Sequence, residues 1–151
     1  MDPRIVFKRF YFLKGLALKK SREFSILWLT GMSGSGKSTL ASYVKQICEE
    51  NGYKARIIDG DDVRDKDEKK LGFGYDDVLT NNLRIATFCL DLRNKDVAVV
   101  IVPVVSPYEK VRKKVKDLLD PFLHLIYIKT DIESLKERDT KGLYLAADCG
   151  E

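Results

Sequence analysis

Apolar residues are grouped along the chain in runs of strand length, and amphipathic segments of helical length separate these runs. Strands are predicted over four ranges: 25–30, 54–59, 97–102 and 123–129. The run at 97–102 is apolar and mostly β-branched without polar alternation, which is typical of a strand covered on both faces. The run at 123–129 is also expected to be a buried strand. Strands that alternate with helices favour a parallel sheet with right-handed crossovers. The pattern therefore predicts an α/β fold.

Helices are predicted between the strands from the residues that begin and end them. Their ranges are Gly36 to about Glu50, about Asp76 to Asn94, from Ser106 onward, and Asp131 to about Arg138. Ser106 is expected to be an N-cap, because Pro107 fits a first turn and a serine hydroxyl accepts from a free backbone N–H. Ligands of parallel sheets bind at the carboxyl ends of the strands, so the loops there are where a site is expected.

Residues 31–38 read Gly-Met-Ser-Gly-Ser-Gly-Lys-Ser, which is the pattern G-x-x-x-x-G-K-S between a predicted strand and a predicted helix. Glycines let the backbone turn tightly, so that successive N–H groups and the helix start face one anion. Lys37 adds a charge for the β- and γ-phosphates, and the Ser38 hydroxyl can join a Mg²⁺ shell that is mostly water. An ordinary surface turn would not need the full pattern in this context. The stretch predicts a nucleoside triphosphate site.

Composition narrows the class of protein. The 151 residues fit one domain, and the apolar share of 44% and charged share of 33% are those of a globular protein. A net charge of +4 suits anionic substrates, but no basic stripe with interleaved aromatic residues indicates a nucleic-acid partner. No apolar run reaches the ~20 residues of a membrane span. Three distant cysteines without a C-x-x-C motif favour a reducing, cytoplasmic setting.

Residues 1–24 differ from residues 25–151, because basic side chains are interleaved there with apolar ones. We expect a basic amphipathic extension that packs against the domain or tethers it, followed by a P-loop kinase domain at 25–151. A membrane-surface or targeting role for the extension is the alternative.

Two carboxylates, Asp59 and Asp61, follow the second predicted strand, which should lie close to the P-loop strand. A phosphotransferase needs one carboxylate to help hold Mg²⁺ and often another to accept or orient the proton of the attacking hydroxyl. An aspartate-rich turn that caps the next helix is the structural alternative. Arg64, on the same loop, could clamp a phosphate or sulfate, or it could pair with a neighbouring aspartate.

Further candidates come later in the chain. Phe73, between two glycines, could stack on a base or fill a gap beneath the loop. Asn81 lies on a predicted helix and is expected on a solvated surface. Ser106 could accept a phosphate, although the N-cap role already explains it. Residues 138–144 mix cations, a glycine and a tyrosine, which suits a lid over phosphates and a base; a plain surface turn is the alternative.

Five stretches together resemble adenylyl-sulfate kinases: W-L-T-G-M-S-G-S-G-K-S-T-L-A at 28–41, D-G-D-D-V-R at 59–64, L-G-F at 71–73, S-P-Y at 106–108 and E-R-D-T-K-G-L-Y at 137–144. The resemblance covers about residues 25–151. It implies a P-loop NTPase fold, a three-layer sandwich with helices on both faces of the sheet. It also implies transfer of the γ-phosphate of MgATP to the 3′-hydroxyl of adenosine 5′-phosphosulfate, a step of sulfate assimilation. Such kinases often form homodimers.

The resemblance also assigns roles to individual residues. The ATP-binding set is Gly31, Ser33, Gly34, Ser35, Gly36, Lys37, Ser38, Thr39 and Arg138. The set that contacts the acceptor nucleotide is Asp59, Arg64, Phe73, Asn81, Lys141 and Leu143. The catalytic set is Lys37, Asp61, Arg64 and Ser106, the last at a position where the family is credited with a phosphoserine. Ser38 and Asp61 are the implied Mg²⁺ ligands.

Several positions depart from the family pattern. Val78 and Leu83 stand where the family usually has arginines, and Glu109 replaces another. The chain stops at Gly150-Glu151, where the family continues through a segment that helps enclose the nucleotide, so a C-terminal truncation is a further expectation. Two alternatives follow: a kinase of the same fold with another nucleotide-linked acceptor, as in surface polysaccharide modification, or a nucleotide-binding module without turnover.

Overall fold

The computed structural model describes residues 24–60, 63, 71–72, 74–139 and 142–149. Strands and helices alternate through this part of the chain, as predicted. The elements are β1 (Ser25–Thr30), α1 (Lys37–Glu50), β2 (Ala55–Ile57), α2 (Tyr75–Arg93), β3 (Val99–Pro103), α3 (Glu109–Leu119), β4 (Leu123–Tyr127), α4 (Ile132–Arg138) and α5 (Leu143–Asp148).

The four strands form one parallel sheet in the order β2-β3-β1-β4. Ile26 of β1 pairs with Val100 of β3 and with Leu123 of β4, so the P-loop strand is central. The sequence placed β2 close to β1, but β3 lies between them. All four carboxyl ends still meet at one edge of the sheet, and that edge carries the P-loop.

Helices cover both faces of the sheet, which confirms the three-layer sandwich. On one face, Leu27 and Leu29 of β1 pack with Ala41 and Val44 of α1. On the other face, the alternate β1 residues pack against α2 and α3 in a larger cluster: Ile26, Trp28, Ile85, Ala86, Cys89, Val115 and Leu119. Because side chains alternate along a strand, the unbroken apolar run of β1 supplies both cores.

The last strand is less buried than the sequence predicted. The run at 123–129 was expected to be a buried strand, whereas Leu125 is 46% exposed and Tyr127 is 64% exposed. The reason is position, because β4 lies at the end of the sheet and no other described strand pairs with its outer side. The apolar character of β4 therefore marks an open edge.

The start of α3 also differs from the prediction. The helix begins at Glu109 with Tyr108 as N-cap, so Ser106 is not a cap. The Arg112 guanidinium donates to the carbonyl oxygens of Ser106 (2.7 Å) and Pro107 (2.9 Å), which keeps both residues outside the helix. In contrast, Asp131 caps α4 as predicted, because its carboxylate accepts from the Ser134 N–H at 2.8 Å.

Two negative findings concern the described residues. None of the helices in the described ranges combines the length and the apolar character that a membrane crossing requires. The thiols of Cys48, Cys89 and Cys149 form no disulfide. Burial raises the pKa of the Cys89 thiol to about 12, so this cysteine stays protonated and acts as a small apolar core residue.

The buried Asn82 amide is poorly matched to its surroundings. Asn82 of α2 is fully buried, and its Nδ2 donates to the Val78 carbonyl at 2.8 Å. Its Oδ1 has no hydrogen-bond partner among the described residues. An unpaired buried acceptor costs free energy of folding, so Asn82 destabilises the domain at this position.

Replacing Asn82 by leucine, whose side chain has the same number and branching of heavy atoms, should raise the free energy of unfolding by about 1–3 kcal/mol, because it removes the unpaired acceptor. Urea denaturation of both proteins measures the change. The matched control is Asn94→Leu at the exposed end of α2, which should stay within about 0.5 kcal/mol of the parent. A loss of stability in Asn82→Leu would contradict the expected gain.

Candidate active site

The P-loop begins in a confined position above the end of β4. The Gly31 backbone has φ +156°, and a Cβ built there would lie 2.6 Å from the carbonyl oxygen of Ile128. At the other end of the loop, Gly36 precedes α1 with φ +86°, in the left-handed region that favours glycine. These two glycines therefore allow the chain to turn from β1 into α1 within a few residues.

Lys37, the first residue of α1, lies inside the loop. Its side chain is buried, and its Nζ donates to the Met32 carbonyl at 2.6 Å and lies 3.5 Å from the Ser35 Oγ. An ammonium group has three donors, so a bond to Met32 orients the charge and is compatible with contacts to phosphate. The lysine therefore stands where the loop N–H groups and the positive end of α1 also act.

A carboxylate from β2 reaches the P-loop although β3 separates the two strands. The Oδ2 of Asp59 lies 3.4 Å from the Oγ of Ser38. Hydroxyl and carboxylate oxygens are hard ligands of the kind that Mg²⁺ prefers, and Mg²⁺ completes its shell with water. Ser38 and Asp59 thus fit a divalent cation. Asp59 and Asp61 were both candidates for the Mg²⁺ carboxylate, although the resemblance placed Asp59 in the acceptor set; Asp61 lies outside the described residues.

The turn that carries Asp59 is held from two sides. Asn81 donates from Nδ2 to the Gly60 carbonyl at 3.2 Å, and a Cβ at Gly60 would lie 2.7 Å from the Val104 Cγ2. Asn81 is fully buried, so the expectation that it lies on a solvated surface was wrong. The reason is its long-range contact with the turn, which helical spacing alone does not reveal.

A cavity of about 510 Å³ opens beside the start of the P-loop. Its lining is Thr30, Gly31, Met32, Val105, Ser106, Pro107, Arg112, Leu125 and Tyr127. Among the described residues that line this cavity, Arg112 is the only cation, and it already bonds two backbone carbonyls. Ser106 is buried, and its Oγ has no partner in the described part of the chain. The cavity therefore suits an apolar or aromatic group better than a phosphate.

The segment after β4 contacts the outer side of the P-loop. The Tyr144 hydroxyl donates to the Ser33 carbonyl at 2.7 Å, and the Arg138 Nη1 lies 3.4 Å from the Gly34 carbonyl oxygen. Tyr144 was predicted only as part of a possible lid at residues 138–144 and was not among the predicted site residues. The tyrosine two residues after Gly142 was the available signal.

The structure brings together most of the predicted ATP-binding residues. The group around the loop is Gly31, Ser33, Gly34, Ser35, Gly36, Lys37, Ser38 and Arg138. Thr39 and Leu143 are exposed. Four predicted residues lie outside the described ranges: Asp61, Arg64, Phe73 and Lys141.

The sequence matches known proteins over most of its length. A family model described as adenylylsulphate kinase matches residues 23–151. The adenylyl-sulfate kinases of Bacillus pumilus and Bacillus velezensis are 39% and 40% identical to this chain over 134 residues. These alignments cover 88% of this chain and 68% of each relative.

Comparison of this structure with solved structures identifies the same family. The Mycobacterium tuberculosis APS kinase CysC in complex with AMPPNP and APS is 32% identical and superposes with a TM-score of 0.76, over 85% of this chain and 75% of that one. A gluconokinase from Sinorhizobium meliloti, 22% identical over 77% of this chain and 65% of its own, has a TM-score of 0.54 and shares the fold alone. Sequence and structure agree that the chain belongs to the adenylylsulphate kinase family.

Proposed function

We propose that this protein is an ATP-dependent adenylyl-sulfate kinase, which transfers the γ-phosphate of ATP to the 3′-hydroxyl of adenosine 5′-phosphosulfate. The observation that carries the proposal is the P-loop with Lys37 folded into it, beside the Ser38 and Asp59 pair, in a chain of this family. The related Mycobacterium tuberculosis kinase was solved with an ATP analogue and APS, the two ligand types that this reaction uses.

The ATP phosphates would be held by the backbone of the P-loop. Negative charge in phosphoryl transfer is spread over the phosphoryl oxygens, and catalysis rests on positioning and electrostatic stabilisation. The loop N–H groups and the start of α1 supply fixed dipoles for that charge. Lys37 supplies the mobile positive charge, with its Nζ oriented by the Met32 carbonyl. These groups lie together in the fold, which is the preorganisation that electrostatic stabilisation requires.

Ser38 and Asp59 would hold the magnesium ion, which neutralises phosphate charge when it is bound. Asn81 contributes indirectly, because it holds the Gly60 carbonyl and thereby the turn next to Asp59. In the transfer itself, the acceptor oxygen bonds to the γ-phosphorus and the bond to the bridging oxygen of ADP breaks. The hydroxyl proton leaves to a base, for which Asp61 is our candidate.

A different nucleotide-linked acceptor is the second candidate function. Val78 is only 3% exposed and packs inside the domain, so it offers no charge to an acceptor at a position where the resemblance leads us to expect an arginine. An apolar side chain cannot replace a charge-assisted bond to phosphate or sulfate. This observation favours an acceptor with fewer anionic groups, and the first experiment below separates the two functions.

We expect ADP release from MgATP to depend on adenosine 5′-phosphosulfate. A coupled assay measures ADP release without acceptor, with adenosine 5′-phosphosulfate, and with adenosine 5′-monophosphate, which lacks the sulfate. Lys37→Ala should lower kcat by roughly 10²–10³-fold, because a preorganised charge at the phosphoryl group is lost. If the parent binds ATP but neither acceptor stimulates it, the sulfate-specific function is contradicted and the search turns to other nucleotide-linked acceptors.

We further expect Asp59→Asn to raise the Mg²⁺ concentration for half-maximal activity by roughly 10-fold or more, because an amide oxygen is a weaker ligand than a carboxylate. A magnesium titration at saturating ATP measures this value. Asp91→Asn, on the exposed surface of α2, removes the same charge away from the site and should leave it unchanged. Equal magnesium requirements in parent and Asp59→Asn would remove Asp59 from the metal site.

A further inference from the structure

Tyr144 contacts the P-loop from a helix at the far end of the described chain. Its hydroxyl donates to the Ser33 carbonyl at 2.7 Å across 111 positions of sequence. The bond is partly buried, and α5 begins only one residue before Tyr144. A long-range bond to a main-chain atom of the phosphate-binding loop acts on the conformation of that loop.

The planarity of the peptide bond links this contact to the phosphates. In a trans peptide, the C=O of Ser33 and the N–H of Gly34 point in opposite directions. Tyr144 holds the carbonyl on the α5 side of the loop, so the Gly34 N–H points away from α5. A P-loop binds anions through N–H groups that converge on one point, and a flipped peptide would replace a donor by an acceptor.

We propose that Tyr144 is a positioning residue for nucleotide binding, which fixes the peptide between Ser33 and Gly34 so that its N–H faces the triphosphate. The inference rests on the proposed function only as far as a nucleoside triphosphate is the ligand of the loop. It does not depend on the identity of the acceptor. The roles proposed for Lys37 and Ser38 do not involve Tyr144.

The position of Tyr144 is itself well defined. The Asp139 carboxylate accepts from the backbone N–H of Tyr144 at 3.2 Å and of Leu145 at 2.9 Å, which anchors the first turn of α5. Burial and the nearby Asp139 charge raise the pKa of the Tyr144 phenol, so the hydroxyl keeps its proton and remains a donor near neutral pH. Asp139 thus fixes the position of Tyr144, and the Tyr144 hydroxyl in turn holds the conformation of the P-loop.

Arg138 makes a second and weaker contact with the P-loop, at Gly34. Its Nη1 is 3.4 Å from the Gly34 carbonyl oxygen, and its side chain is exposed. A long contact of a solvated side chain contributes little compared with a 2.7 Å bond. We therefore expect the effect on the loop to depend mainly on the Tyr144 hydroxyl.

Tyr144→Phe tests the proposal, because it deletes the hydroxyl and keeps the ring. The probe is the non-hydrolysable analogue AMPPNP with Mg²⁺, and calorimetry measures its Kd without any acceptor. We expect Kd to rise roughly 3–10-fold, as for the loss of one hydrogen bond. In turnover assays KM for ATP should rise by the same factor, with KM for the acceptor unchanged. Tyr53→Phe, in the turn before β2, is the matched control and should leave Kd unchanged.

A second variant separates positioning from general stability. Asp139→Asn weakens the anchor of α5 and should raise Kd for AMPPNP in the parent, but it should add nothing in the Tyr144→Phe background, because both act through one contact. A merely structural Tyr144 would lower the unfolding midpoint and leave Kd of the folded protein unchanged. An unchanged Kd, or full additivity of the two substitutions, would overturn the proposal. Since no acceptor is present, failure of the acceptor assay would not affect this result.

Discussion

The close approach of the P-loop to the end of β4 is the constraint on which the site depends. A Cβ at Gly31 would lie 2.6 Å from the Ile128 carbonyl oxygen, and the Ile128 N–H donates to the Thr30 carbonyl at 2.7 Å. The pairing of β1 with β4 therefore fixes where the loop starts. From there the chain enters α1 within six residues, so that the loop N–H groups, the helix start and Lys37 all act on one point. A side chain at position 31 would push the loop off the strand and displace this whole set.

The remaining parts of the site come from separate elements that the sheet order brings together. Asp59 follows β2, which is not adjacent to β1, and it reaches Ser38 only because its turn is fixed at Gly60 by Asn81 and Val104. Tyr144 contacts the loop from α5, through the Ser33 carbonyl. The phosphate-binding loop is thus held at its start by a strand and on its outer side by α5. Its ligand-facing groups are positioned by residues that need not touch the ligand.

Local patterns predicted the parts of this structure that depend on neighbouring residues. The strand before the P-loop, the helix after it and the Asp131 cap follow from apolar spacing and end signals within a few positions. One prediction failed locally, because Arg112, six residues further along the chain, keeps Ser106 outside α3. The others depend on distant contacts: the sheet order leaves β4 at an edge, and the bond from Asn81 to Gly60 buries an amide expected on the surface. Sequence spacing carries no information about such partners, which is also why Tyr144 was overlooked.

The central claim is that the P-loop directs the γ-phosphate to the 3′-hydroxyl of the acceptor nucleotide. Phosphorus NMR of a reaction with MgATP and adenosine 5′-phosphosulfate tests it most directly, because the spectrum identifies the atom that receives the phosphoryl group. The account predicts that the γ-phosphate signal of ATP is replaced by a phosphomonoester signal that is coupled to the ribose 3′ proton. Release of inorganic phosphate alone, or a phosphomonoester at another position, would contradict it.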